Sequence, residues 1–288
     1  MRRIKTQYFF AIPAFVLFFV FFIYPFLNGF WLSLTKWNGY TEPHFIGLEN
    51  FKNIFADPRG LNAIKNTVVF ALFSTPLLNL AGLAYALLLE NSNSKMVKIA
   101  RFVVYIPAII SPLIMGYVWF FIVKTGGTAQ NLLMSLHLKG LVFDWLSSPT
   151  IALALIIFIN AWQFSGMTMI IYLSNLAAIP VELYEAADMD GAGYWQKLIH
   201  VKLPNITSAI TINILTNIIG SLAIFDAIVA LTNGGPGYST ESLSMYIQRM
   251  SFGGLTGYAV AVAIVMFFIT FIPVMLYIII TKRKGLAV

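Results

Sequence analysis

Cysteine is absent from the 288 residues, which excludes a disulfide framework and any thiolate metal site. Charge is nearly as scarce. Only 10% of the residues are Asp, Glu, Lys or Arg, where a soluble domain carries about a quarter. The three histidines, His44, His137 and His200, are too scattered to imply a metal site, and no Ser, His and Asp grouping in the apolar segments argues for hydrolysis. No G-x-x-x-x-G-K-[ST] loop occurs, so ATP binding is not assigned to this chain. The formal charge is +7, but the basic residues flank apolar runs instead of forming one stripe with interleaved aromatics, which excludes nucleic acid as a partner. No internal repeat or low-complexity tract is evident, so the inverted halves of many secondary transporters are missing.

What remains is apolar. Hydrophobic residues make up 59% of the chain and the mean hydropathy is +0.82, more than a water-soluble core can absorb. Windows of spanning length fall at residues 9–34, 67–89, 102–123, 151–173, 209–231 and 258–280. Lipid satisfies no backbone polar group, and these runs lack the alternation of a barrel, so six transmembrane helices are predicted in one all-α, polytopic domain over 1–288. Met1 to Lys5 followed by an apolar run has the look of a secretory leader, but the run is too long and lacks a small-residue cleavage pattern, so a retained, tilted first helix is expected.

Six spans place both termini on one side. That side carries Arg2, Arg3, Lys5, Lys95, Lys98, Arg101, Lys197, Lys202, Lys282, Arg283 and Lys284, against seven Lys and Arg opposite; the positive-inside rule then makes both termini cytoplasmic.

The link over 174–208 is cytoplasmic on this reading, polar, and longer than a turn requires. Pro180 suits a helix start, Glu182 and Glu185 favour its first turns, and Gly191 and Gly193 permit a sharp turn before a second helix from Tyr194. An amphipathic helix lying on headgroups is one reading. Four acidic residues, Glu182, Glu185, Asp188 and Asp190, oppose it, because interfacial helices favour Lys and Arg. A protein partner fits better.

Glu185-Ala186-Ala187, then Gly191, Val201 and Leu203-Pro204 at these spacings resemble the "EAA" signature of ABC importer permeases. Phe45-Ile-Gly-Leu-Glu-Asn-Phe51, Asn66-Thr67, Arg101 with Pro107, Gly127, Asn131-Leu132, Trp145-Leu146 and Thr232-Asn-Gly-Gly-Pro-Gly-Tyr-Ser-Thr240 extend the resemblance to the binding-protein-dependent carbohydrate permeases of the maltose and oligosaccharide type, in minimal six-helix form. The resemblance implies a type I ABC importer fold in a bacterial or archaeal inner membrane. It also implies a second homologous permease, two cytoplasmic ATPase subunits carrying ATP and Mg, an extracytoplasmic solute-binding protein, surrounding lipid, and no cofactor on this chain. Glu185, Ala186, Ala187, Asp190, Gly191 and Ala192 would then form the coupling knob that docks on the ATPase.

Polar residues within spans are costly unless they face a bundle interior or water. Asn160, Trp162 and Gln163 on the fourth span, and Asn213, Asn217, Ser221 and Phe225 on the fifth, are therefore candidates for a solute path, the last four recurring every four residues along one drifting face. Interhelical packing is the competing role for each Asn and Ser. By resemblance, the family's sugar-contacting positions fall on Asn160, Gln163, Phe164, Met167, Gly220, Ser221 and Ile224, of which only Asn160 keeps its type. A polyamine or phosphate-ester permease, a secondary transporter and a membrane enzyme are the rival readings.

Overall fold

The computed structural model describes residues 7–90 and 94–283. Arg2, Arg3, Lys5 and Lys284, used above for orientation, lie outside them. The chain divides into two compact units, one built from the described residues up to Leu61 with Leu243–Ile269, the other from Asn62–Ser242 with those from Thr270 onward. Four helices, Ala11–Ser33, Pro58–Leu89, Pro149–Leu176 and Thr256–Lys282, are long and apolar enough to cross a membrane, and two sharply bent helix pairs raise the number to six if each pair counts as one span.

In the first unit, α1 (Gln7–Phe18) and α2 (Tyr24–Ser33) are joined by a π-helical turn over Phe19–Ile23. The predicted single helix over 9–34 widens there because Pro25 has no N–H for the carbonyl four residues earlier, at Phe21. A short hairpin follows, β1 (Thr35–Lys36) pairing antiparallel with β2 (His44–Phe45), then α3 (Glu49–Ala56). Asn50 ties helix to hairpin, its amide donating to the carbonyls of Ser33 at 2.8 Å and Thr35 at 2.9 Å. Leu243–Phe252, α14, and the start of α15, which runs Thr256–Arg283, complete the unit. Tyr246 of α14 donates to Asp57 and sits 2.9 Å from the Tyr258 hydroxyl. Burial by itself would raise the Asp57 carboxyl. The Tyr246 hydroxyl, the amides of Arg59 and Gly60 and the Arg59 charge outweigh it and hold the group below its ordinary value of 3.8.

The second unit contains most of α4 (Pro58–Leu89), then α5 (Lys95–Ile109), α6 (Pro112–Val123), α7 (Thr128–Ser135) and α8 (Pro149–Leu176). The predicted continuous helix over 102–123 is corrected: α5 and the helical stretch beginning at Pro112 meet at 100°. Proline disfavours the helical conformation in the residue before it and supplies no N–H, so Ile110 and Ser111 are extended. Carbonyls freed inside a membrane need new donors. Gln163 of α8 provides them, its amide reaching the carbonyls of Pro107 at 3.2 Å and Ile110 at 3.0 Å. At the crossing of α5 and α8, a Cβ on Gly166 would stand 2.2 Å from the Val104 carbonyl oxygen, so only glycine admits this approach.

The link after α8 folds into α9 (Val181–Met189), α10 (Tyr194–Lys197), a π-helical turn over Leu198–Lys202, and α11 (Leu203–Asn205), after which α12 (Thr207–Leu222) leaves at 69° to the preceding helix. The predicted helix over 209–231 is also broken. Helical conformation stops at Leu222 and resumes at α13 (Asp226–Leu231), with Ser242 Oγ donating to the Ile224 carbonyl at 2.8 Å in the gap. Asp226, about five residues from the outer end of the apolar window, is the first residue of α13, where an acidic side chain complements the helix dipole.

The link is fastened to α4 by charge. Glu90, just past the end of α4, pairs with Lys202, the two side chains being 8% and 6% exposed. Arg101 donates to the carbonyls of Leu89 and Glu90, satisfying the end of α4. Tyr184 of α9 lies close enough that burial and then the Glu90 charge push its hydroxyl up. Beside the pair, Ala86, Met169, Tyr172, Leu176, Ile206 and Ala209 form a buried apolar cluster from α4, α8 and the start of α12. Removing one member of a buried pair strands the other, at about 3–5 kcal/mol, whereas a well-packed apolar replacement of both is often near neutral. Lys202→Met is therefore expected to lower the thermal midpoint of the detergent-purified protein markedly, and Lys202→Met with Glu90→Leu to recover most of the loss; equal losses in both would mean the pair stabilises through packing alone.

A second expectation concerns acid. Because Asp57 titrates below its unfolded value, its stabilisation is fully present above pH 3.8 and is lost as pH falls through the lower folded value. Tyr246→Phe should cost about 1 kcal/mol at neutral pH, and the gap from wild type, followed by thermal unfolding against pH, should close below that point. A gap that persists undiminished in acid would assign Tyr246 a packing role.

Candidate functional site

Among the pockets of the second unit, one of about 250 Å³ lies between α8 and α12 with Leu78 of α4 at its side. Asn160, Phe164, Met167, Thr168 and Ile171 line it from α8, and Asn213, Thr216, Asn217, Gly220 and Ser221 from α12. The helical period explains the set: positions 160, 164, 168 and 171 share one face of α8, and 213, 217 and 220 one face of α12.

Its polar groups are held in place. Asn160 Oδ1 accepts from Ser74 Oγ at 3.0 Å. Asn217 donates to Thr168 Oγ1, and Asn213 to the Thr168 carbonyl, each at 3.2 Å. Asn213 Oδ1 is buried and makes no hydrogen bond of ordinary geometry. On α4, Thr75 reaches the Asn217 carbonyl at 3.4 Å and Asn79 accepts from the Tyr172 hydroxyl at 2.9 Å. None of the lining residues is charged, so the cavity offers amides, hydroxyls and a ring face to an uncharged, hydroxyl-bearing molecule, with little to balance a net charge.

Of the path residues named from sequence, the structure brings Asn160, Phe164, Asn213, Asn217, Gly220 and Ser221, with Met167, around this cavity. Four others stand elsewhere. Trp162 packs edge-on against Trp119 with centroids 5.4 Å apart; Gln163 braces the bend between α5 and α6; Ile224 and Phe225 occupy the break after α12. Thr168, Ile171, Thr216 and Leu78 were not singled out from sequence. Thr168 was within reach of it, standing eight residues, about two helical turns, beyond Asn160.

The second group of candidates lies on the link. Ala186, Ala187, Asp190 and Ala192 line a shallow groove with Leu183, Gln196, His200 and Val201. Glu185 is exposed on α9, and Gly191 takes φ +71° in the turn, a left-handed conformation that glycine alone adopts freely. The Ala192 amide donates to the Ala187 carbonyl at 2.9 Å, Asp188 pairs with Lys197, and Gly193 N donates to Gln196 Oε1 at 2.8 Å. The knob is thus internally braced. Its exposed apolar side chains, Met189 at 89% and Trp195 at 70%, present the kind of patch that marks a protein contact.

Comparison with known proteins places this geometry. The chain is 33% identical over 268 residues to the probable ABC transporter permease protein YurN of Bacillus subtilis, covering 91% of each chain. It is 31% identical over 261 residues to the probable starch degradation products transport system permease protein AmyD of Thermoanaerobacterium thermosulfurigenes, covering 90% of this chain and 88% of that one. The crystal structure of a bacterial ABC transporter involved in the import of the acidic polysaccharide alginate contains a chain that superposes with a TM-score of 0.79 at 26% identity, covering 96% of this chain and 95% of its own. A family model described as the binding-protein-dependent transport system inner membrane component matches residues 78–285, and the chain belongs to that family of multi-pass ABC permeases.

Proposed function

We propose that this chain is the permease subunit of an importer for a neutral sugar or oligosaccharide, delivered by an extracytoplasmic binding protein. A second, homologous permease would complete the pathway, and two cytoplasmic ATPase subunits would bind ATP and Mg. The observation that carries the reading is the uncharged amide and hydroxyl cavity on α12, the helix that the exposed, internally braced link enters through α10 and α11. The names of relatives that transport starch degradation products and import alginate support a saccharide cargo. The lining favours a neutral one, since neither a polyamine nor a phosphate ester would find a counter-charge there.

In this mechanism Glu185, Ala186, Ala187, Asp190, Gly191 and Ala192 seat against the ATPase. Small side chains allow close approach, and Gly191 turns the chain back. Closure of the ATPases displaces the knob, and the Glu90–Lys202 pair carries the displacement to α4 while α11 carries it to α12. Helices α4, α8 and α12 then change their separation around the cavity, exposing it to one side or the other. This chain's side chains hold the solute and transmit movement; the chemistry of hydrolysis belongs to the partner.

The test is ATP-driven uptake of a maltodextrin series by liposomes containing this chain with its second permease, ATPase and binding protein. Glu185→Lys and Gly191→Trp should abolish uptake and uncouple hydrolysis from the binding protein while the subunit still inserts. Asn217→Leu should lower uptake about tenfold, the worth of one or two lost hydrogen bonds, and leave ATPase stimulation by the binding protein in place. Uptake by this chain alone on an ion gradient, indifferent to both link substitutions, would overturn the assignment.

A further inference from the structure

On the flank of α4 turned away from the solute cavity, a groove of about 640 Å³ runs between α4 and α8. Its walls are apolar: Val69, Phe73 and Leu77 from α4, and Leu153, Ile157 and Phe158 from α8. One end is polar. Asn62, Lys65, Asn66 and Ser239 gather there, with Thr150 of α8 also in the lining and Ser239 Oγ buried without a hydrogen-bond partner among the described residues. We propose that this groove holds one acyl chain of an anionic glycerophospholipid, its phosphate against the Lys65 amine.

Three observations lead to a lipid. The first is direction. On α4, positions 62, 66, 69 and 73 fall on one face, while Thr75, Leu78 and Asn79, which contact the cavity or its bracing residues, are turned about 100–160° from it at 100° per residue. On α4 the groove and the cavity thus occupy different faces. On α8, Ile157 and Leu153 stand one and two turns before Asn160 on the face that lines the cavity, so an accessibility measurement must separate an acyl chain from a water-filled approach. The second is depth. Twelve residues separate Lys65 from Leu77, roughly 18 Å along a helix, close to the ~15 Å of one leaflet of a 30 Å hydrocarbon core. The third is the order of polarity. Below the level of Lys65 the walls offer no side-chain donor for a saccharide, while the end remote from Glu90, where α4 begins, carries an exposed cation and two asparagines. Asn62 and Asn66 donate to the Tyr238 and Glu241 carbonyls at 2.8 and 3.1 Å, which fixes them while leaving each amide a second hydrogen for a phosphate or ester oxygen. The headgroup thus lies in the leaflet opposite the link.

The probes are phosphatidylglycerol and phosphatidylcholine with identical acyl chains, titrated onto the detergent-purified protein and followed by native mass spectrometry. Wild type should retain phosphatidylglycerol about fivefold better than phosphatidylcholine, the effect of one lysine near a membrane surface. Lys65→Gln should remove the preference but not binding, and Ala154→Trp, which fills the groove, should remove both. Leu80→Trp, at an exposed position outside the groove, should change neither. Equal retention of the two lipids by wild type, or unaltered retention by Ala154→Trp, would overturn the proposal. If Ala154→Trp fails to fold, a spin label on Leu153→Cys, unique because the chain has no cysteine, decides the matter in the assembled importer in vesicles of both lipids. Access by oxygen but not by a water-soluble nickel complex supports an acyl chain. Access by nickel would mean a water-filled groove and access by neither would mean a protein cover, and either result sinks the lipid reading.

Discussion

Hydrocarbon offers no hydrogen-bond partner, and the consequences of that single constraint run through the second unit. A helix that breaks within it must find donors for its freed carbonyls from neighbouring side chains. Pro112 breaks one span, and Gln163 on α8 supplies the donors; α12 stops at Leu222, and Ser242 serves the buried Ile224 carbonyl. Each brace fixes the position of a second element. The bend between α5 and α6 is held against α8, and the end of α12 against the segment leading to α14, so the helices lining the cavity are located by the repair of broken backbone as much as by apolar packing.

The sequence announced the membrane, the apolar segments and the turn at Gly191 clearly, because each depends on local composition. Its apolar windows marked where hydrocarbon begins and ends, not whether the chain crosses it straight, so the 100° bend at Ile110 and Ser111 escaped notice although Pro112 stood in view. The cavity was half legible. Asn160, Asn213, Asn217 and Ser221 showed themselves as polar interruptions, and Thr168 and Thr216 did not, because threonine is common in such helices as a bond to its own backbone. Gln163 was read as a contact for solute for the same reason that made it conspicuous: hydropathy registers a costly amide, and only geometry shows that its partners are the carbonyls of Pro107 and Ile110. Glu90 and Lys202, 112 residues apart in the chain, could be paired only by the fold.

The family membership and the site agree in a specific way. In the mechanism proposed above, a movement received on one side is expressed at a solute site within the membrane. The turn of the link at Gly191 is exposed and internally braced, the Glu90–Lys202 pair ties the link to α4, and α11 leads it into α12, which lines the cavity. Within the second unit the link carries four carboxylates and two lysines, while the cavity is lined by neutral side chains alone.

The glycine contact at the crossing of α5 and α8 has a mechanical consequence. With no side chain at Gly166 the α8 backbone meets the Val104 carbonyl directly, and Gln163, three residues earlier, bonds to the carbonyls of Pro107 and Ile110, so two successive levels of α8 are pinned to the same neighbour. The contact lies ten residues from the end of α8 nearest the link and seventeen from its other end, arms of roughly 15 and 25 Å. A side chain at position 166 would force the two backbones apart at this level and pull Gln163 away from the carbonyls it serves.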